Sequence, residues 1–392
     1  MLRVAFIRIG GHAWTGGLNY LLNLLGVLSR YAGHKIRPVV FTGTDCPQDE
    51  VQAMSAFDGV QVVQTERFTS SPHLMEMACS LLLGRDPKAA ELFRQNKIDA
   101  VFEAAQFFGW RFQTPAIAWI PDFQHWGLPE MFSLLYRFKR NLGQRLQIAA
   151  GRTVMVSSED ARRTCERLYP NARERTHTVS FAILPQTPLS LIEACKVANV
   201  YGLPTAFFFM PNQFWRHKNH LLVIEALAIL RDRGQRVVVA ASGQPLDPIA
   251  PGHFEVVRKK TKVLGLEDNF RILGLIPREH IPALLRTCTA LLNPSLFEGW
   301  STTVEEARNL GTPMLLSDLP VHKEQMGQNA VYFDRFSAHD LAEQLGSFAA
   351  VSECEREAAV ANSQAEAKER ASAYAVRFVR LVEDAVRSGV SP

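Results

Sequence analysis

Short apolar runs alternate with amphipathic stretches along most of the chain. In the first half, the run Val4–Ile9 predicts a strand, and the apolar residues of Leu18–Tyr31 recur at helical spacing until Gly33. Other apolar runs predict strands over Arg37–Thr42, Ile98–Glu103, Ala116–Ile120, Thr153–Ser157 and Thr178–Phe181. This alternation indicates a parallel sheet that is covered by helices on both faces.

The same alternation returns in the second half of the chain. Over 183–204 prolines interrupt the pattern. After this interruption, apolar runs predict strands over Thr205–Met210, Val237–Ser242, Phe270–Leu273, Ala290–Asn293, Met314–Ser317 and Val331–Asp334. Asn219 is in position to cap a helix that runs to Arg233. From Glu353 to Arg387 the chain has neither Pro nor Gly, which predicts one or two long helices.

The pattern therefore predicts an α/β protein with two doubly wound, Rossmann-like domains that face each other across a cleft. We expect a first domain over 1–185, a linker over 186–204, a second domain over 205–352, and C-terminal helices over 353–392 that pack back on the first domain. Ligands of open parallel sheets bind at the carboxyl ends of the strands, and a cleft between two such domains is the natural pocket.

Composition narrows the class of protein. The 392 residues are 47% hydrophobic and 21% charged, and the net charge of +4 does not by itself indicate nucleic-acid binding. The six cysteines are scattered without a C-x-x-C pair, which argues against a disulfide framework or a structural zinc site. No apolar run approaches the roughly 18 residues of a transmembrane helix, and the N-terminus does not read as a signal peptide. We expect a cytoplasmic protein.

Candidate chemistry centres on the stretch NPSLFEGWSTTVEEA, which places Glu298 and Glu306 on either side of a predicted strand-to-helix turn. Ser301, Thr302 and Thr303 would lie at the helix N-terminus, where free N–H groups and the helix dipole suit a phosphate. The alternative is a helix capped by Thr302 or Thr303, with solvated glutamates.

The longer stretch PSLFEGWSTTVEEARNLGTPMLLSD resembles the donor-site signature of the family 4 glycosyltransferases, which are retaining enzymes of the GT-B fold. The resemblance implies that Glu306 binds the ribose of a nucleotide and that Glu298 contacts the donor sugar near the reacting carbon. It implies that backbone N–H groups near Ser301–Thr303 bind the diphosphate. It also implies that base choice depends on backbone groups around Ile276.

A second similarity to this family lies in PNQFWRHKNH, residues 211–220. Lys218 matches the family's lysine, while the family's arginine falls on Gln213, and Arg216 stands close by as a substitute cation. A fixed cation would stabilise the negative charge that develops on a leaving nucleoside diphosphate. The alternative for Lys218 is an exposed lysine near a helix start.

A third similarity lies in AWIPDFQHWGLPEMF, residues 118–132. Asp122 matches the family's Asp, while the family's His falls on Pro121, and His125 follows three residues later. The sequence leaves open whether Asp122 or His125 acts in catalysis, and a packed histidine is the alternative. Gly16 and Gly17, before the first predicted helix, match the family's glycine loop near the donor phosphate or acceptor, although a tight turn alone also calls for glycine.

The resemblance thus implies a transferase that moves a sugar from a nucleotide-diphosphate sugar, bound by the domain over 205–352, to a saccharide or lipid-linked acceptor, bound by the domain over 1–185. It also implies retention of configuration, no metal or other cofactor, and a role in surface polysaccharide or glycolipid synthesis. The alternatives are a nucleotide-sugar isomerase and a non-catalytic nucleotide-sugar binding protein. The segment 131–175 is rich in arginine, which indicates either peripheral contact with an anionic membrane at its inner face or a solvated helix face.

Overall fold

The computed structural model describes residues 1–8, 15–71, 73–104 and 106–389. Within these ranges the strands form two sheets, and all strand pairs are parallel. Contacts divide the chain into two compact units, one built from Met1–Phe123, Ser133–Leu184 and the residues from Glu369 onward, the other from Gln124–Phe132 and Pro185–Lys368.

The first unit contains a seven-stranded sheet. Its strands are β1 (Leu2–Ile7), β2 (Ile36–Thr42), β3 (Gln61–Gln64), β4 (Ala100–Glu103), β5 (Ala116–Trp119), β6 (Thr153–Val156) and β7 (Thr176–Thr178). They are ordered β3-β2-β1-β4-β5-β6-β7, so the chain starts in the middle and winds outward in both directions. This confirms a doubly wound sheet.

The second unit repeats this design with six strands. They are β8 (Phe208–Met210), β9 (Val239–Ser242), β10 (Phe270–Gly274), β11 (Ala290–Asn293), β12 (Met314–Ser317) and β13 (Val331–Phe333), in the order β10-β9-β8-β11-β12-β13. The strand order reverses between β8 and β11, which are neighbours. The loops that follow these two strands therefore flank the position where doubly wound sheets bind ligands.

Fifteen α-helices cover the sheets within the described ranges. They are α1 (Thr15–Ala32), α2 (Gln48–Ser55), α3 (Leu74–Ala78), α4 (Pro87–Gln95), α5 (Gln124–Gly127), α6 (Leu134–Ala149), α7 (Glu159–Leu168), α8 (Leu191–Val200), α9 (His220–Asp232), α10 (His253–Val263), α11 (His280–Thr287), α12 (Thr302–Asn309), α13 (Pro320–Met326), α14 (Ala338–Ser347) and α15 (Glu353–Gly389). No helix of this set is both long and apolar enough to cross a bilayer.

Helix α15 is a single helix of 37 residues. Its last part belongs to the first unit, where Phe378 stacks on Phe6 with ring centroids 6.0 Å apart and Tyr374 donates a hydrogen bond to the hydroxyl of Tyr20 at 3.0 Å. Phe378 and Tyr374 are fully buried. The last part of the C-terminal helix is thus in the core of the first unit.

Three local expectations need correction. The last strand of the first sheet is Thr176–Thr178, earlier than the predicted Thr178–Phe181, and the edge strand β3 was missed. Asn219 precedes α9, but its side chain donates to the carbonyl of Arg335 instead of capping the helix, because its own backbone is left-handed (φ 59°). The segment taken as a linker contains α8, which a reciprocal capping box of Ser190 and Glu193 begins.

Candidate active site

The two-glutamate stretch forms the connection between β11 and α12, as the sequence predicted. The strand ends at Asn293, the helix begins at Thr302, and Ser301 occupies the position before the first helical residue. No side chain caps this helix, so neither Thr302 nor Thr303 has the capping role of the alternative interpretation. Among the described residues, nothing accepts a hydrogen bond from the backbone N–H groups of Thr302 or Thr303, which leaves both donors available to an anion.

Buried amides fix the base of this turn. The side-chain N–H of Asn293 donates to the hydroxyls of Ser301 at 2.9 Å and Thr303 at 3.3 Å, while its oxygen accepts from the backbone N–H of Ser295 at 3.3 Å and from Asn212 at 3.2 Å. Asn293 is completely buried. The hydroxyls that might have capped α12 are therefore used to tie the helix to the end of β11.

Gln325 of α13 fixes the turn from the other side. Its side-chain oxygen accepts from the backbone N–H of Ser301 at 3.2 Å, and its side-chain nitrogen donates to the carbonyl of Ser301 at 3.1 Å and to Glu305 at 3.2 Å. Gln325 is buried. The start of α12 is thus held by two amide side chains, and its first-turn N–H groups are preorganised.

Lys218 and Glu298 form an ion pair at the switch point of the second sheet. Lys218 lies in the loop after β8, Glu298 lies in the turn after the adjacent strand β11, and the ammonium nitrogen is 2.6 Å from Oε1 of the carboxylate. The side chains are 15% and 9% exposed, so water screens the pair only weakly. The backbone N–H of Leu296 also donates to the carbonyl of His217 at 2.8 Å, which joins the two loops.

The pair keeps Glu298 ionised. Burial alone would raise the pKa of Glu298, but the charge of Lys218 and the neighbouring His322 outweigh it, and the pKa lies below its usual value. Ser295 donates a further hydrogen bond to the same carboxylate oxygen at 2.7 Å. The structure therefore places a fixed carboxylate and a fixed cation together at this sheet edge.

The surroundings of Glu306 shift its pKa in the opposite direction from that of Glu298. It lies in the second half of α12, and burial raises its pKa to about 7, against the opposing charge of Arg278. A carboxyl group that ionises near neutrality is costly to keep charged without a partner. It would be stabilised by donors such as the two hydroxyls of a ribose.

The remaining donor-site candidates of the second unit lie around the same edge. Gln213, at the position of the family's arginine, accepts a hydrogen bond from the backbone N–H of Gln244 at 2.6 Å, so it links the loops after β8 and β9. Arg216 has an exposed side chain, and its backbone N–H is held by Asp247 at 2.8 Å. The side chain of Ile276 is packed in the core, which leaves only its backbone for a ligand.

The two catalytic candidates of 118–132 fall in different units. Asp122 belongs to the first unit and pairs with Arg140 of α6 at 2.8 Å. His125 is fully buried on α5, which belongs to the second unit. A Cβ atom added to Gly127 would lie only 2.7 Å from the ring of Phe297, so α5 packs closely against the residue before Glu298.

The glycine candidates are only partly described. Gly16 and Gly17 lie in the first turn of α1, directly after the loop that follows β1. Residues 9–14 of that loop, which include Gly10 and Gly11, lie outside the described residues. In the second unit, Gly311 of the Gly-Thr-Pro turn has φ +61°, and an added Cβ would lie 2.6 Å from the backbone of Ala359. Only glycine, which has no Cβ, tolerates both this positive φ and this close approach.

Sequence reasoning missed the residues that hold the turn in place. Asn293, Gln325, Ser295 and His322 carry no signal of their own, because a single amide, hydroxyl or imidazole is common in any chain. His322 is fully buried, and its Nδ1 lies 3.0 Å from the carbonyl of Ser317. Burial lowers its pKa, although the charge of Glu298 opposes this effect.

Comparison with known families agrees with this geometry. A sequence profile described as "Glycosyl transferases group 1" matches residues 199–366, which contain the ion pair, the uncapped helix and Glu306. Residues 199–366 thus match the group 1 glycosyltransferase family. This confirms the family that the two-glutamate stretch resembled.

Curated relatives of this glycosyltransferase half match over short segments. Mannosylfructose-phosphate synthase of Agrobacterium fabrum is 26% identical over 132 residues, which are 32% of this chain and 28% of that protein. The putative glycosyltransferase EpsF of Bacillus subtilis is 29% identical over 119 residues, which are 30% of this chain and 29% of that protein. The chain thus spans less than a third of the length of these relatives.

Solved structures extend the likeness to the whole chain. Anabaena HepE, solved in complex with UDP and glucose, has a TM-score of 0.71 at 16% identity and covers 98% of this chain and 100% of its own. Sucrose-phosphate synthase of Thermosynechococcus elongatus has a TM-score of 0.65 at 14% identity and covers 99% and 100%. Together with the two doubly wound sheets, these matches confirm the GT-B fold with two Rossmann-like domains.

Proposed function

We propose that the protein is a glycosyltransferase that moves a sugar from a nucleotide-diphosphate sugar to a saccharide or lipid-linked acceptor. One arrangement carries the proposal. Lys218, Glu298 and the uncapped start of α12 lie together at the switch point of the second sheet. A cation and free N–H groups stabilise a leaving diphosphate, while a carboxylate stabilises positive charge on the sugar.

Each group has a distinct role in this proposal. The N–H groups of Thr302 and Thr303, with Arg216, bind the diphosphate, and Glu306 accepts hydrogen bonds from the ribose. Lys218 shifts from Glu298 to the phosphate when the donor binds, because a doubly charged diphosphate attracts it more strongly than one carboxylate. Glu298 is then free to face the sugar. Solved complexes of the similar HepE contain UDP-glucose or UDP with glucose, which supports a nucleotide-sugar donor.

We further propose that transfer retains the anomeric configuration and needs no metal or other cofactor. The test is NMR analysis of the product formed from an α-linked donor, in assays with and without EDTA. An α-linked product at an unchanged rate in EDTA is expected. A β-linked product contradicts retention, and activity that is lost in EDTA and restored by a divalent cation contradicts metal independence.

The setting we propose is surface polysaccharide or glycolipid synthesis in the cytoplasm, at the inner face of a membrane. Much of the basic segment 131–175 is engaged internally, since acids pair with Arg140, Arg152 and Arg162. On α6, Arg137, Lys139 and Arg145 have no acidic partner among the described residues. These three cations are the ones that would meet an anionic membrane.

Two observations favour a second candidate, a non-catalytic nucleotide-sugar binding protein. Gln213 replaces the family's arginine and is engaged with the backbone of Gln244, and Pro121 replaces the family's histidine. Such a protein would bind the donor without transfer and without slow donor hydrolysis. Incubation with donor alone separates the candidates, because a transferase releases free sugar slowly and an isomerase converts the donor.

A further inference from the structure

One helical segment of the first unit buries polar side chains and exposes apolar ones, which is the reverse of an ordinary surface helix. Over Leu74–Leu83, which combines α3 with a π-helical turn, the buried side chains are those of Glu76 and Ser80. Glu76 accepts from the Lys88 ammonium at 2.7 Å. The six large exposed side chains are all apolar, with Leu82 79% exposed, and comprise Leu74, Met75, Met77, Leu81, Leu82 and Leu83. Contiguous exposed apolar surface of this kind marks a binding surface.

Trp110 extends this surface. Its ring lies against Gly84, its indole nitrogen donates to the carbonyl of Leu81 at 3.4 Å, and half of the side chain remains exposed. The guanidinium of Arg111 stacks over the same ring at 4.4 Å. We call the six exposed residues of Leu74–Leu83 together with Trp110 the α3 patch.

Helix α6 likewise buries polar side chains and exposes large apolar ones. Its buried residues include Gln144 and Gln147, whereas its first turns expose large apolar side chains. These are Leu134, Leu135, Tyr136, Phe138 and Leu142, of which Leu134 is 80% exposed. We call these five residues the α6 face.

The α3 patch and the α6 face belong to the same edge of the first sheet. The α3 patch follows the carboxyl end of β3, and α6 follows the carboxyl end of β5. The loop after β4, which lies between these strands in sequence, touches both elements. Trp110 of this loop contacts Leu81, and the side chain of Gln147 donates to the carbonyl of Gln106 at 3.1 Å.

The positive charge around the α3 patch and the α6 face indicates which partner binds them. Helix α6 carries no acid, and three of its cations (Arg137, Lys139 and Arg145) have no acidic partner among the described residues, while Arg85 and Arg111 flank the α3 patch. A second copy of the chain would bring the same positive surface into contact, which is unfavourable. An anionic lipid surface complements the charge, and exposed Leu, Phe and Trp beside Arg and Lys are the side chains that enter a membrane interface.

We propose that the α3 patch and the α6 face insert together into the interface of an anionic membrane. Binding strength scales with the buried apolar area and the attraction to anionic lipid, so the two surfaces together bind more strongly than either alone. The inference deepens the proposed function, since it rests on that function for the view that the acceptor is lipid-linked. The exposure and charge of the two surfaces do not depend on the proposed transferase activity.

Co-sedimentation of the full chain with phosphatidylcholine vesicles, with and without phosphatidylglycerol, tests the proposal. The variants are Leu82→Ser/Leu83→Ser in the α3 patch and Leu134→Ser/Leu135→Ser in the α6 face. The control is Ile192→Ser/Val263→Ser, which changes two equally exposed apolar residues of the second unit. We expect each patch variant to weaken partitioning about tenfold or more, the control to leave it unchanged, and salt to weaken it for all variants.

Other outcomes overturn the proposal. Absence of wild-type binding to anionic vesicles at low salt would do so, and so would binding of both patch variants as strong as that of wild type. A patch variant that converts an oligomer to a monomer without changing vesicle binding would identify a protein interface instead. Nucleotide binding by the same variants keeps the two proposals separate, because it depends on the second unit and should not change.

Discussion

At the scale of single residues, the proposed donor site depends most on the ion pair between Lys218 and Glu298. Lys218→Ala should weaken nucleoside diphosphate binding about 10- to 100-fold, because a charge-assisted contact to phosphate contributes about 1.5–3 kcal/mol. Calorimetric titration measures this. Lys259→Ala on α10, an exposed lysine of the same unit, is the control and should bind normally. Equal affinities for the Lys218 variant and wild type would contradict the phosphate role.

The same variant separates binding from stability. Without Lys218, the carboxylate of Glu298 stays nearly buried and unpaired, so the free energy of unfolding should fall by about 1–3 kcal/mol. The double variant Lys218→Ala/Glu298→Gln should recover this stability but not the affinity, because only the buried charge is removed.

Glu306 predicts a pH dependence of nucleotide binding. Its pKa is raised to about 7, and only the ionised form accepts two hydrogen bonds from a ribose. Affinity should therefore fall as pH decreases through 7, about tenfold between pH 8 and pH 6. Glu306→Gln should bind weakly with a flatter profile.

Stability of the unliganded protein should change in the reverse sense. A carboxyl group with a raised folded pKa binds its proton more tightly when folded, so it destabilises the fold as pH rises from about 4.3 toward 7. Glu306→Gln should therefore melt higher than wild type at pH 8 and equally at pH 4. Identical pH profiles for both proteins would contradict a raised pKa.

At the scale of elements, the β11–α12 turn depends on Gln325. Gln325→Ala removes the only acceptor that the described structure provides for the N–H of Ser301, which is buried. We expect a loss of about 1–3 kcal/mol in unfolding free energy and weaker nucleotide binding, because the start of α12 is no longer held. Thermal unfolding measures the first effect. Gln52→Ala, on an exposed face of α2, is the control, and equal melting of the two variants would argue against the clamp.

The elements also show where sequence reasoning succeeds. β11 and β12 were predicted to the residue, because all four positions of each strand are buried and the first three are apolar. β3 was missed because an edge strand of the composition QVVQ buries little. α8 was missed because prolines flank it and its apolar pattern is weak, although Ala198 packs in the core. Asn219 failed as a cap because its backbone conformation could not be seen in the sequence.

The candidate site was predictable only where a motif spans it. The ion pair joins residues 80 positions apart, and no hydrophobic pattern predicts that contact. The resemblance of two separate stretches to one family assigned both residues to the donor site but did not predict that they pair. Asn293 and Gln325 have no such motif, and the assignment of His125 and Asp122 to different units follows from the fold alone.

At the scale of the whole molecule, α15 contributes to both units. Phe378 is fully buried against Phe6 and Phe102 of the first sheet. Phe378→Ala should lower the unfolding free energy of the first unit by about 3–5 kcal/mol, the usual cost of removing a buried phenyl ring. Calorimetry should show an earlier transition for the first unit, whereas nucleotide-stabilised melting of the second unit should be retained. A uniform shift of both transitions would instead indicate that the units unfold together.

The most direct test of the account is thermal unfolding with UDP, GDP, ADP, dTDP and CMP, on wild type, Glu306→Ala and the exposed control Glu267→Ala. A ligand at about 100 times its dissociation constant adds roughly 2.7 kcal/mol, enough to raise the midpoint by a few degrees. We predict that one nucleotide diphosphate stabilises wild type and the control but not Glu306→Ala. If no nucleotide stabilises wild type, or if Glu306→Ala responds fully, the β11–α12 turn is not a donor site.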